Sequence, residues 1–113
     1  MKIQMYNNPI FYDLCTKNKK NDIPFYLNWA NNSKGNILEI ASGTGRIAEP
    51  LINSGYNYTG LDLSPTFILQ SQKKYSKGNF ICGDMRNFSL DQQFDLIIHP
   101  KLNPLFQLFL LIF

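Results

Sequence analysis

Cysteine is scarce in this sequence: Cys15 and Cys82 are the only two in 113 residues. They lie far apart and neither belongs to a C-x-x-C pair, so neither a disulfide framework nor a zinc site is indicated. Both are expected to be reduced thiols of a cytoplasmic protein. Histidine is scarcer, with His99 alone. Charge is also low, at 17% of residues against a usual share of roughly 25%. The net charge is +3, and Lys17, Lys19 and Lys20 form the one basic cluster. No further stripe exists to follow a phosphate backbone, so nucleic acid is not indicated as a partner. Long apolar runs are missing as well. Leu105 to Phe113, broken by Gln107, is far shorter than the roughly 18 residues that argue for a membrane span. Met1 to Ile10 interleaves Lys2, Gln4, Asn7 and Asn8 with its apolar residues, where a signal peptide keeps a continuous apolar stretch. Neither membrane nor export is expected, and there is no internal repeat or low-complexity linker.

What remains is a globular composition with 44% apolar residues and a length of 113 residues, which, divided by about 150 residues per domain, predicts a single domain. Within it a helical preamble spans 1–35. Asp22 is placed to cap a helix, Pro24 fits its first turn, and Ile23, Tyr26, Leu27 and Ala30 recur at helical spacing, predicting an amphipathic helix from Ile23 to Asn31. Phe25 and Trp29, four residues apart, are read as packing residues. Short apolar runs then alternate with helical segments over 36–100, the signature of an α/β fold with parallel strands. Asn36 to Ile40 is a strand. Arg46 to Ser54 is a helix closed by Gly55, with Pro50 expected to kink it. Tyr56 to Leu63 is the second strand, and Ser64-Pro65 opens a helix to about Tyr75 that carries Lys73 and Lys74 at its C-terminal end. Asn79 to Cys82 and Phe94 to Ile98 complete a β-α-β-α-β-β order. Residues 101–113 form an apolar tail.

Three signals fall at successive strand C-termini, where open α/β sheets bind ligands. The first is Glu39-Ile40-Ala41-Ser42-Gly43-Thr44-Gly45, a strand giving way to a helix through a glycine turn. Glycine lets a ligand approach the main chain, and the helix start presents unpaired N–H groups. Gly43-x-Gly45-x-x-Ala48 also satisfies the dinucleotide fingerprint, so the turn alone does not choose between cofactors. The second is Gly60-Leu61-Asp62-Leu63-Ser64. Asp62 stands at the offset expected of a ribose-binding acid, where its two oxygens match a vicinal diol, or it caps the next helix. The third is Gly83-Asp84-Met85. Here the acid suits an adenine amino group and Met85 the ring face, or the pair forms a plain turn.

These motifs, with Arg46, Arg86 and Phe94-Asp95-Leu96-Ile97-Ile98, resemble the class I S-adenosylmethionine-dependent methyltransferases in order and spacing. Upstream, Phe11-Tyr12-Asp13 and Asp22-Ile23-Pro24-Phe25-Tyr26 are similar to that family's preamble. The resemblance implies a Rossmann-like, doubly wound parallel sheet, S-adenosylmethionine as cofactor, and methyl transfer to an acceptor the sequence does not name. It places Gly43 and Gly45 at the methionine end of the cofactor and Glu39 near its ammonium group. It puts Asp62 on the ribose diol, Leu63 against adenine, and Asp84 with Met85 at the adenine edge. Ala41 belongs to the same site and stands where many members have the first glycine of the loop. Arg46 either meets the cofactor carboxylate or stays solvated. His99 is the default general base by residue type, and Tyr6 and Tyr12 are read as core aromatics.

Members of that family carry about seven strands in a doubly wound sheet, whereas four are read here. A truncated or frameshifted member is therefore expected. Its fourth strand would be an exposed apolar edge open to self-association, unless Leu105 to Phe113 folds back over it as a short helix. Two other functions stay open: an NAD(P)-binding oxidoreductase fragment, and a non-catalytic product that is inert or completes its sheet through a partner.

Overall fold

The structure is a computed structural model that describes Pro9, residues 22–87, Leu90, residues 92–99 and residues 108–109. Cys15, Lys17, Lys19, Lys20, Tyr6, the Phe11-Tyr12-Asp13 segment and most of the apolar tail lie outside the described residues.

The first helix, α1 (Ile23–Asn31), buries Tyr26 and Ala30 and has Pro24 in its first turn. Ile23, Leu27 and Trp29 pack against the same core. Two expectations fail here. Phe25 is 44% exposed, its ring T-shaped to that of Tyr26 with centroids 5.2 Å apart. Asp22 occupies the N-cap position but makes no side-chain cap bond, because Arg46 grips both of its carboxylate oxygens at 2.7 and 3.0 Å.

Strand β1 (Asn36–Ile40) has its three inner residues buried, as a strand covered on both faces requires. It pairs in parallel with β2 (Asn57–Asp62) on one side and with β4 (Leu96–Ile98) on the other. Between β1 and β2 lies α2 (Ala48–Asn53), two residues shorter at its start than the Arg46 onset read from sequence. Pro50 consequently sits in the first turn, where no helical bond needs its missing N–H, and it starts the helix instead of kinking it.

The next helix, α3 (Pro65–Lys74), is capped by the Ser64 side chain, which accepts from the Phe67 N–H, and carries Lys73 and Lys74 in its last turn. It leads to β3 (Asn79–Cys82), which pairs in parallel with β2.

The sheet order is β3-β2-β1-β4-β5. The first four follow the doubly wound pattern, in which the chain returns to the far side of β1 after β3. Phe94 and Asp95, expected in the fourth strand, precede its ladder. Asp95 N–H donates to the Asn36 carbonyl at 2.8 Å, and its carboxylate accepts from Asn36 N–H at 3.0 Å, so one backbone bond and one side-chain bond join the two residues ahead of the ladder. The outer edge of β4 is not open. A two-residue strand, β5 (Leu108–Phe109), pairs with it antiparallel, Ile97 opposite Phe109 and Ile98 opposite Leu108. The expected cover is thus a strand and not a helix.

One apolar cluster joins Tyr26 and Ala30 of α1, Ala48 and Leu51 of α2 and Ile68 of α3 to Ile37, Tyr58, Phe80, Leu96 and Ile98 of the sheet. All three helices therefore cover the same sheet face. The other face is packed by Leu38, Leu61 and Phe94, with Leu90 also against it. Both Leu90 and Phe94 come from the β3–β4 connection.

Candidate functional site

The carboxyl ends of β1, β2 and β3 come together through their connecting turns. Ala41, Gly43 and Gly45 have φ of 59°, 62° and 100°. Three left-handed residues within five bend the chain back sharply enough for its amides to reach the neighbouring strand. Ser42 N–H donates to the Leu61 carbonyl at 3.0 Å, Gly43 N–H donates to Asp62 Oδ2 at 2.8 Å, and the buried Ser71 hydroxyl donates to the Gly43 carbonyl at 3.2 Å. The other Asp62 oxygen, Oδ1, accepts from Ser64 N–H at 2.9 Å. Asp62, 8% exposed, thus ties the glycine turn to the end of β2. The cap of α3 belongs to Ser64, as its own bond to Phe67 shows.

Beside this tie opens a cavity of about 250 Å³ lined by Ala41, Leu61, Asp62, Leu63, Gly83, Asp84, Met85 and Arg86. Leu63 and Met85 are 69% and 47% exposed. Two large apolar side chains left open on the rim of a cavity have a binding surface to offer. Gly83 N–H donates to the Asp62 carbonyl at 2.9 Å, which holds the β3 turn against β2. Asp84 is bound by Arg86, whose guanidinium reaches it at 2.6 to 3.2 Å. Those bonds hold the Asp84 carboxyl well below the usual carboxylate range, at about 2.

Five of the expected cofactor residues, Ala41, Asp62, Leu63, Asp84 and Met85, line this one cavity. Glu39, Gly43 and Gly45 do not line it. Glu39 is 2% exposed and accepts from the Tyr58 hydroxyl at 2.5 Å. Burial, followed by the Glu39 charge, pushes the Tyr58 hydroxyl far above its ordinary range. Burial and the charges of Asp22 and Glu39 likewise push Tyr26 up to about 12, with Arg46 opposing them. Glu39 therefore anchors a buried polar cluster behind the turn. Gly60, opposite Glu39 in the sheet, leaves the room for it: a Cβ there would lie 2.9 Å from the Ser42 side chain and from the Tyr58 hydroxyl.

Arg46 is not freely solvated: it is ion-paired with Asp22 at 2.7 Å, with its side chain 21% exposed. His99 is buried directly after β4 and does not line the cavity. Sequence reasoning missed Arg86 as a site residue. The acid and the arginine two positions apart were the available signal. Among the described residues no helix is long and apolar enough to cross a membrane.

A parallel sheet in doubly wound order, with a glycine turn after β1 and a cleft bounded by acids at the next two strand ends, defines a Rossmann-like α/β domain. Residues 37–106 match the family described as a methyltransferase domain, and the chain belongs to that family. It is similar to a Bacillus subtilis protein named as methyltransferase YqeM, 39% identical over 69 residues, which are 58% of this chain and 28% of that protein. It is also similar to the demethylmenaquinone methyltransferase of Thermotoga maritima, 31% identical over 99 residues, 85% of this chain and 42% of that one. Among solved structures, the glycopeptide N-methyltransferase MtfA complexed with (S)-adenosyl-L-methionine aligns with a TM-score of 0.60 at 26% identity, over 68% of this chain and 35% of that chain. The chain spans less than half the length of each of these relatives.

Proposed function

We propose that this domain binds S-adenosylmethionine and serves methyl transfer from it to an acceptor. The observation that carries the reading is the single cavity formed by Asp62, Asp84, Leu63 and Met85. Two carboxylates and two exposed apolar side chains match the polar edges and flat faces of an adenosine. At about 250 Å³ the cavity is a little smaller than pockets for drug-sized ligands, which run from about 300 Å³ upward. That size suits the adenosine half of the cofactor and leaves the amino-acid half to the neighbouring glycine turn.

When bound, the cofactor supplies an electrophilic sulfonium methyl group. The chain's own residues hold and orient. Asp62 keeps acceptor capacity beyond its two backbone partners, since an ionised carboxylate has roughly four acceptor sites, and can take ribose hydroxyls on the remainder. Leu63 and Met85 exclude water from the ring faces. Asp84 accepts from the base edge. In-line displacement at a methyl carbon gains chiefly from such positioning and from a dry site. The exposed free thiol of Cys82 supports a reducing, cytoplasmic setting. The acceptor is the partner the reaction requires.

Calorimetric titration with S-adenosylhomocysteine and, separately, with NAD tests the reading. Saturable binding of the first, with none of the second, is the expected result. Binding of NAD alone would overturn the proposal in favour of the dinucleotide reading of Gly43-x-Gly45-x-x-Ala48.

A further inference from the structure

The Asp84–Arg86 pair sits on the wall of the cavity, both residues lining it. Asp84 Oδ1 accepts from the Arg86 backbone N–H at 2.9 Å and from Nε at 3.0 Å, and Oδ2 accepts from Nη2 at 2.6 Å. The Nε hydrogen is shared with Oδ2 at 3.2 Å. An ionised carboxylate has roughly four acceptor sites. Three donor hydrogens from one neighbour leave room for a single further donor, on Oδ2. Arginine can do this because its planar fork meets a carboxylate along two parallel bonds, which fixes the plane of the carboxylate as well as its charge. Arg86 is itself 80% exposed on its side chain, so it contributes little to the core, and its bonds all go to one residue of the cavity wall.

We propose that Arg86 is a positioning residue that holds Asp84 as an acceptor for one donor, so that the site selects a purine carrying an exocyclic amino group over its 6-oxo counterpart. The inference rests on the adenosine reading of the cavity given above and goes beyond it by assigning base selection to a residue that need not touch the base. An amino group offers the hydrogen that Oδ2 can still take. A 6-oxo group presents an oxygen to an oxygen that bears negative charge, and the donor that a 6-oxo purine does carry, its ring N1–H, is displaced from the exocyclic position that a carboxylate fixed in plane by Arg86 serves.

The experiment compares S-adenosylhomocysteine with S-inosylhomocysteine, binding each to the wild-type chain, to Arg86→Ala and to Arg86→Lys. Wild type is expected to prefer the adenosyl ligand by about tenfold or more, the range of a hydrogen bond to a charged group. Both variants are expected to narrow that preference about threefold or more, because alanine has no fork and lysine supplies only a point charge. Their thermal unfolding is expected to match wild type, since the side chain lies on the surface. A preference retained in both variants overturns the proposal, as does tighter adenosyl binding on removal of Arg86, which would make it a competitor for Asp84. Failure of the wild-type chain to bind S-adenosylhomocysteine at all overturns the methyltransferase reading itself, a result distinct from either of these.

Discussion

Ala41 carries a side chain in a backbone conformation that favours glycine: its φ is 59°. A left-handed residue with a Cβ costs about 1–2 kcal/mol. Ala41→Gly removes that strain and gives back about 0.4–1 kcal/mol through the greater freedom of the unfolded chain. The variant is therefore expected to be more stable by up to about 1 kcal/mol, a rise in Tm of a few degrees for a domain of this size, where about 1 kcal/mol shifts Tm by roughly 4–8 °C. Thermal unfolding followed by circular dichroism reads this directly, and a lower Tm would refute it. At this scale the sequence was legible wherever local chemistry decides. Ser64 before Pro65 is a cap by residue type, and the turn at Ala41 to Gly45 is announced by its glycines. It was not legible where a distant partner decides. Asp22 looks like a cap until Arg46, 24 residues later, takes its carboxylate. Glu39 reads as a ligand residue from its motif alone, and nothing in that motif shows that the Tyr58 hydroxyl donates to it at 2.5 Å.

Elements meet at Gly45. Its φ is 100°, and a Cβ there would lie 2.4 Å from the ring of Tyr75, the residue that ends α3. The glycine is required twice over, once by the turn after β1 and once by a ring arriving from the end of another helix. Gly45→Ala is expected to cost about 2–5 kcal/mol, combining strain of about 1–2 with overpacking of about 1–3. A double-mutant cycle with Tyr75→Ala separates the two contributions, because removing the ring relieves the clash and leaves the strain. Urea unfolding of the four proteins should show the double variant to be more stable than the sum of the single effects predicts. Strict additivity would mean that Tyr75 does not constrain the turn. The need for glycine is readable from the motif, yet the identity of Tyr75 as its neighbour is not, since nothing in local spacing relates the end of α3 to the turn after β1. The same holds for β4, whose onset is set by Asp95 reaching across to Asn36.

Across the molecule, the alternation of apolar runs and helical segments was enough to read the parallel order, because each βαβ unit carries its own periodicity. The antiparallel β5 is only two residues long, too short to leave a pattern, and its place depends on the free edge that β4 offers. Sheet order also sets where stability lies. β1 is paired on both sides, whereas the ends of the strands opposite the cavity, at Asn36, Asn57 and Asn79, are exposed or half-buried and open by local fraying. A ligand held at the carboxyl ends slows exchange where it blocks local opening. Hydrogen exchange on addition of S-adenosylhomocysteine should therefore slow at amides 41–45, 62–64 and 83–86 and leave Asn36, Asn57 and Asn79 unchanged. The Gly43 amide is the most telling of these, because its bond to Asp62 survives only if Asp62 receives the ligand without releasing the turn. Faster exchange at Gly43 with slower exchange at 83–86 would show that Asp62 gives up the turn to bind. Slowing spread evenly over both ends of the strands would remove the cavity as the place of binding.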